Sequence, residues 1–146
     1  MREGTNNIVT LPSTASTDVM AEYYIIVDVF VLLSLAENYA TAALESMTCG
    51  TSVAGFDAGG ILEQLTDRKG IAVPTGDQEA FDETIRQALR SDNELHHGEE
   101  LADYIWMLIH YRNTDGFSIP YIRGLVGYSL SCQKLQKFVE NRLWCF

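Results

Sequence analysis

Basic residues are scarce in this chain of 146 residues: 10 Lys and Arg stand against 20 Asp and Glu, a formal net charge of -10. Non-specific nucleic-acid binding runs on cationic contacts to phosphate, so no nucleic-acid partner is expected. Long apolar runs are missing too. The longest, Ile25 to Leu35, is broken by Asp28 and Ser34 and is too short for a transmembrane segment. The start, Met1 to Asn7, lacks the apolar stretch of a secretory signal. Cysteine is sparse: Cys49, Cys132 and Cys145 are odd in number and show no CxxC spacing. They read as buried or free thiols of a reducing compartment, not as a disulfide frame. Neither GxxxxGK[ST] nor GxGxxG occurs, which leaves out the commonest phosphate loops. His96, His97 and His110 lack metal-ligand spacing and carboxylate partners, so no metal is expected. A soluble, cytoplasmic protein is the reading, with peripheral association at the membrane as its variant.

What is present is ordinary globular composition, 47% hydrophobic and 21% charged. The length suits one domain with a real core, or most of one. Charge is uneven along it. Residues 1–111 hold 5 basic and 18 acidic side chains, and residues 112–146 hold 5 basic and 2 acidic. Such a shift marks a change of module or of partner, and it divides the chain into a domain over 1–111 and a C-terminal tail over 112–146. In the tail, Lys134 to Leu143 has the apolar spacing of an amphipathic helix.

Strand-like and helix-like segments alternate in the first two thirds. Asn7 to Leu11 is a short apolar run. Ser16 is a fitting N-cap for a helix from about Thr17 to Val27. Val29 to Leu33 reads as a strand buried on both faces. Ala40 to Cys49 is made of good helix formers and ends at Gly50. Thr51 to Phe56 is the next strand, Gly59-Gly60 opens a short helix to about Thr66, and Gly70 to Val73 is a third strand. Pro74 to Asp77 forms a turn, and Asp77 caps a helix from Gln78 to Arg90 with one apolar face. Leu101, Tyr104, Ile105, Leu108 and Ile109 carry a further helical period. This βαβα alternation predicts an α/β fold, a parallel sheet with flanking helices and right-handed crossovers.

Chemistry concentrates in Ser34 to Glu45, a loop that leaves a buried strand and enters a helix. Ligands of open α/β sheets bind at the carboxyl ends of the strands, where this loop falls. Backbone N–H groups at the helix start, near Asn38 to Thr41, suit a phosphate. Glu45 lies about one turn further on, where a carboxylate can accept from two neighbouring hydroxyls such as those of a ribose. Glu37, in the loop, can bond a sugar hydroxyl or place charge beside a reacting carbon.

This order of residues resembles the donor-site signature of the group 1 (family four) glycosyltransferases. The signature pairs two glutamates separated by seven residues, here Glu37 and Glu45, with a small-residue stretch and a strand, here Met47 to Val53. Phe56 to Glu63 is similar to the family's second glycine-rich loop, and Gly70 to Asp77 to its next strand and turn. The likeness spans roughly Asn7 to Arg90. It implies a Rossmann-like domain, the partial C-terminal, nucleotide-sugar-binding half of a GT-B enzyme. Such enzymes transfer a sugar from a nucleoside-diphosphate sugar to a hydroxyl acceptor with retention, usually without a bound metal. No cofactor beyond the donor substrate is implied.

By motif match Glu45 would hold the donor ribose and Glu37, the catalytic candidate, the donor sugar. The N–H groups of Asn38, Tyr39 and Ala40 would face the diphosphate. Gly59 and Gly60 would let backbone approach sugar or phosphate closely, since they lack Cβ. The family's acceptor domain, and the part of the donor domain that supplies an Arg/Lys pair to the diphosphate, have no counterpart here. Beside two glutamates, a helix start offsets only part of the repulsion, about 0.3–2 kcal/mol. Weak or no donor binding by these residues alone is therefore expected, as is a protein partner that supplies the acceptor domain. The acceptor itself is not legible. The rival reading is a non-catalytic interaction module that kept the fold, lost the chemistry and binds a protein through its basic tail.

Overall fold

The computed structural model describes residues 9–90, 95 and 97–113. The first helix, α1 (Thr17–Ile25), starts where Ser16 Oγ accepts the Val19 N–H. It stops two residues short of the expected Val27, and Ile26 and Val27 are exposed. Strand β1 (Phe30–Leu32) follows, then α2 (Thr41–Thr48), β2 (Val53–Phe56) and the single turn α3 (Ile61–Gln64). Strand β3 (Gly70–Val73) leads into α4 (Gln78–Ala88), capped as expected by the Asp77 carboxylate on the Ala80 N–H at 3.0 Å. The last element, α5, covers Gly98–Asn113. Val9 to Leu11 is irregular and exposed at Val9 and Leu11, so no strand forms there; Asn7 and Ile8 lie outside the described residues. The amphipathic stretch Lys134 to Leu143 lies outside them as well.

The three strands are parallel in the order β1-β2-β3, with Phe30 opposite Val53 and Val53 opposite Gly70. Strand pleating sends alternate residues to opposite faces. On one face Phe30, Leu32, Val53 and Ala72 meet Ala43 and Met47 of α2, Ile61 of α3, and Leu101 and Ile105 of α5. On the other, Ala54, Phe56 and Val73 meet Phe81 and Ile85 of α4. This is the expected Rossmann-like α/β arrangement, a partial one.

Burial on both faces belongs to β2, not to β1 as the sequence suggested. All four β2 residues are buried, whereas Val31 is 39% exposed and Leu33 55%. The reason is position: β2 is the central strand and β1 an outer one among the described residues, and α4 packs on β2 and β3. Helix α5 reaches the sheet through Gly98, whose N–H donates to the Gly50 carbonyl at 2.8 Å. Gly50 ends α2 at a φ of +83°, and a Cβ there would strike the Gly98 backbone. Cys49 is 3% exposed and disulfide-bonded, which overturns the expected free thiol. Cys132 and Cys145, the chain's other cysteines, lie outside the described residues. Among the described residues no helix is long and apolar enough to cross a membrane.

Candidate functional site

Parallel strands deliver their following loops to one edge of the sheet. Here those loops are 33–40, 57–60 and 74–77. They are sewn together by backbone and side-chain bonds. The Gly60 N–H donates to the Glu37 carbonyl at 3.3 Å. Gly59 sits at a φ of +58°, and a Cβ on it would overlap the Glu37 carbonyl oxygen; one on Gly60 would overlap that of Asn38. The glycine pair thus lets one loop lie directly on the other, and both glycines stand at the start of α3. On the far side the Asp57 carboxylate accepts from the Thr75 N–H at 2.9 Å and from the Thr75 hydroxyl at 3.1 Å, tying the second loop to the third.

Gln64 makes the tightest link. Its buried amide accepts the Ala40 N–H at 3.0 Å and donates to the Ala40 carbonyl at 3.1 Å. Ala40 is the N-cap of α2 and brings no capping side chain of its own. The Ala40 N–H is therefore engaged by Gln64. The first intrahelical bond runs from the Leu44 N–H to the Ala40 carbonyl, so the N–H groups of Thr41, Ala42 and Ala43 have no acceptor within the helix; of these residues Thr41 is exposed, Ala42 half-buried and Ala43 fully buried. Asn38 and Tyr39 are exposed in the loop just before them.

Glu37 is half-buried at the same edge. Glu45, also half-buried, lies one turn into α2, about 6 Å along the axis from Thr41. Its Oε2 accepts from the Tyr24 hydroxyl of α1 at 3.1 Å. Tyr24 is buried and edge-on to Phe30, and its bond to Glu45 was not legible in the sequence. Nor was the role of Gln64, a polar residue in a short helix whose burial no periodicity announces.

The electrostatics of the edge are one-sided. Loops 33–40, 57–60 and 74–77 contain no Lys or Arg. Lys69 lies at the opposite, amino end of β3, its ammonium 5.5 Å from the Tyr104 ring centre, and Arg86 pairs with Glu83 at 3.2 Å. Within these three loops the positive potential comes from backbone N–H groups at helix starts. A cavity of about 580 Å³ opens at the amino edge, between Asp28, Gly50, Thr51 and Arg90. Helix α2 ends there, presenting carbonyls, which is unfavourable for a diphosphate. No group of three or more His, Cys, Asp or Glu among the described residues is placed to hold a metal ion.

A search of curated proteins and a search of solved structures each return no match. The family model of glycosyl transferases group 1 matches residues 2–103, which takes in all three loops and every element from α1 to β3 and α4. The chain belongs to the group 1 glycosyl transferases.

Proposed function

We propose that this chain forms part of the nucleotide-sugar-binding half of a retaining GT-B glycosyltransferase. In this reading residues 1–111 carry the donor site and residues 112–146 form a separate tail. The amides of Thr41 and Ala42 receive the diphosphate, Glu45 the ribose and Glu37 the sugar. Charge building on the leaving diphosphate would be stabilised by donors already in place, and the Glu37 carboxylate would stabilise a positive sugar carbon. The acceptor is a hydroxyl on a second substrate, brought by a partner protein that carries the acceptor domain. The observation that supports this most is the meeting at one sheet edge of the Glu37 loop, the Gly59-Gly60 loop and the start of α2, with Glu45 one turn into that helix. A cytoplasmic setting belongs to this reading through the missing secretory and membrane-spanning stretches, and the Cys49 disulfide removes only the support expected from thiols.

Glu37→Ala and Glu45→Ala test the reading in a complex reconstituted with the acceptor-domain partner. Loss of sugar transfer in both supports it. The absence of basic side chains from the three loops favours the second reading, a non-catalytic interaction module. Biological activity that survives both substitutions would select that module.

A further inference from the structure

We propose that Tyr24 is a positioning residue for Glu45, its hydroxyl setting the carboxylate to receive the two hydroxyls of a ribose. This inference rests on the donor-site reading above. Tyr24 is 4% exposed, so a ligand at the edge meets Glu45 and not the phenol. The residue is held at both ends. Its ring lies edge-on to Phe30 at 5.4 Å, and its own carbonyl accepts the Thr51 hydroxyl at 2.6 Å. Thr51 is itself buried before β2, so the tyrosine is anchored to the sheet rather than to its own helix alone. The hydroxyl that emerges from this anchor donates to Glu45 Oε2.

A carboxylate offers about four acceptor positions on two oxygens. Tyr24 occupies one on Oε2 and leaves Oε1 and the second Oε2 position to a ligand. Without that bond a half-buried glutamate on a helix turns among rotamers, and ordering it on binding costs affinity. With the bond the carboxylate plane is fixed before the ligand arrives. The specificity that follows is for a vicinal diol, the group that distinguishes a ribose from its dideoxy counterpart.

The test uses the full chain and amide chemical shifts, titrated with uridine and guanosine 5′-diphosphates and with their 2′,3′-dideoxy forms. The wild-type chain is expected to bind a ribose form more tightly than its dideoxy form. Tyr24→Phe keeps the ring and deletes the hydroxyl. It is expected to weaken ribose-form binding about threefold to tenfold, the range of one hydrogen bond, and to leave dideoxy-form binding unchanged. Glu45→Gln should narrow the preference too, and the double variant should narrow it no further than Glu45→Gln alone. Equal weakening of both forms by Tyr24→Phe would mean a structural role and overturn the inference, as would an undiminished ribose preference. A ribose preference that survives Glu45→Gln, or a wild-type chain that binds both forms equally, overturns the donor-site reading itself.

Discussion

Gln64 grips both backbone groups of Ala40, the N–H at 3.0 Å and the carbonyl at 3.1 Å, across the start of α2. The side-chain amide closes a donor that no helix bond can reach and gives a second donor to a carbonyl that already accepts the Leu44 N–H. Gln64→Leu keeps the approximate size and removes both bonds. A buried group left without a partner costs about 1–3 kcal/mol. A loss of stability of that size is expected, read as a lower urea midpoint. An unchanged midpoint would mean that water replaces the amide.

Gly59 and Gly76 both have positive φ, +58° and +85°, but differ in surroundings. Around Gly76 nothing lies within 4 Å of an added Cβ, whereas at Gly59 the Glu37 carbonyl is in the way. Gly76→Ala should therefore cost only the backbone term, about 1–2 kcal/mol. Gly59→Ala should cost clearly more, because the Glu37 loop must also move. Urea denaturation of the two variants side by side checks the order; equal losses would show that the loops are not in contact.

Tyr104 donates its hydroxyl to the Asp67 carboxylate at 3.2 Å. Burial first, then this bond and the Asp67 charge, raise its pKa above the usual 10.0. The native state therefore keeps the proton where the unfolded chain has lost it. The resulting stabilisation is complete below the unfolded value and disappears as pH climbs through the raised native one. The stability difference between wild type and Tyr104→Phe is expected to be constant up to about pH 9 and to shift against the wild type toward about pH 11. Urea midpoints across that range measure it; a difference independent of pH would contradict the assignment.

Local chemistry explains which parts of the fold were legible. Ser16 and Asp77 announce helix starts because capping is a contact within four residues, and both caps are made by those side chains. Gly50 announces a helix end by its own backbone. The burial of β1 was misjudged because an apolar run carries no mark of whether a neighbour covers it; Val31 and Leu33 are as apolar as the β2 residues and yet exposed. In the site, the glutamate pair and the glycine pair stand out by spacing. The bonds from Gln64 to Ala40 and from Tyr24 to Glu45 do not, since they join positions 24 and 21 residues apart. The engaged Ala40 amide follows from the first of these, and no reading of the loop alone would have shown it.

The central claim is that the carboxyl edge of this sheet receives a nucleoside-diphosphate sugar. Amide chemical-shift mapping during titration with uridine- and guanosine-diphosphate sugars tests it most directly. The account predicts saturable shifts of millimolar affinity, centred on Thr41 and Ala42 and extending to Glu37 and Gly59. Shifts centred instead on Asp28, Thr51 and Arg90 at the opposite edge would contradict it.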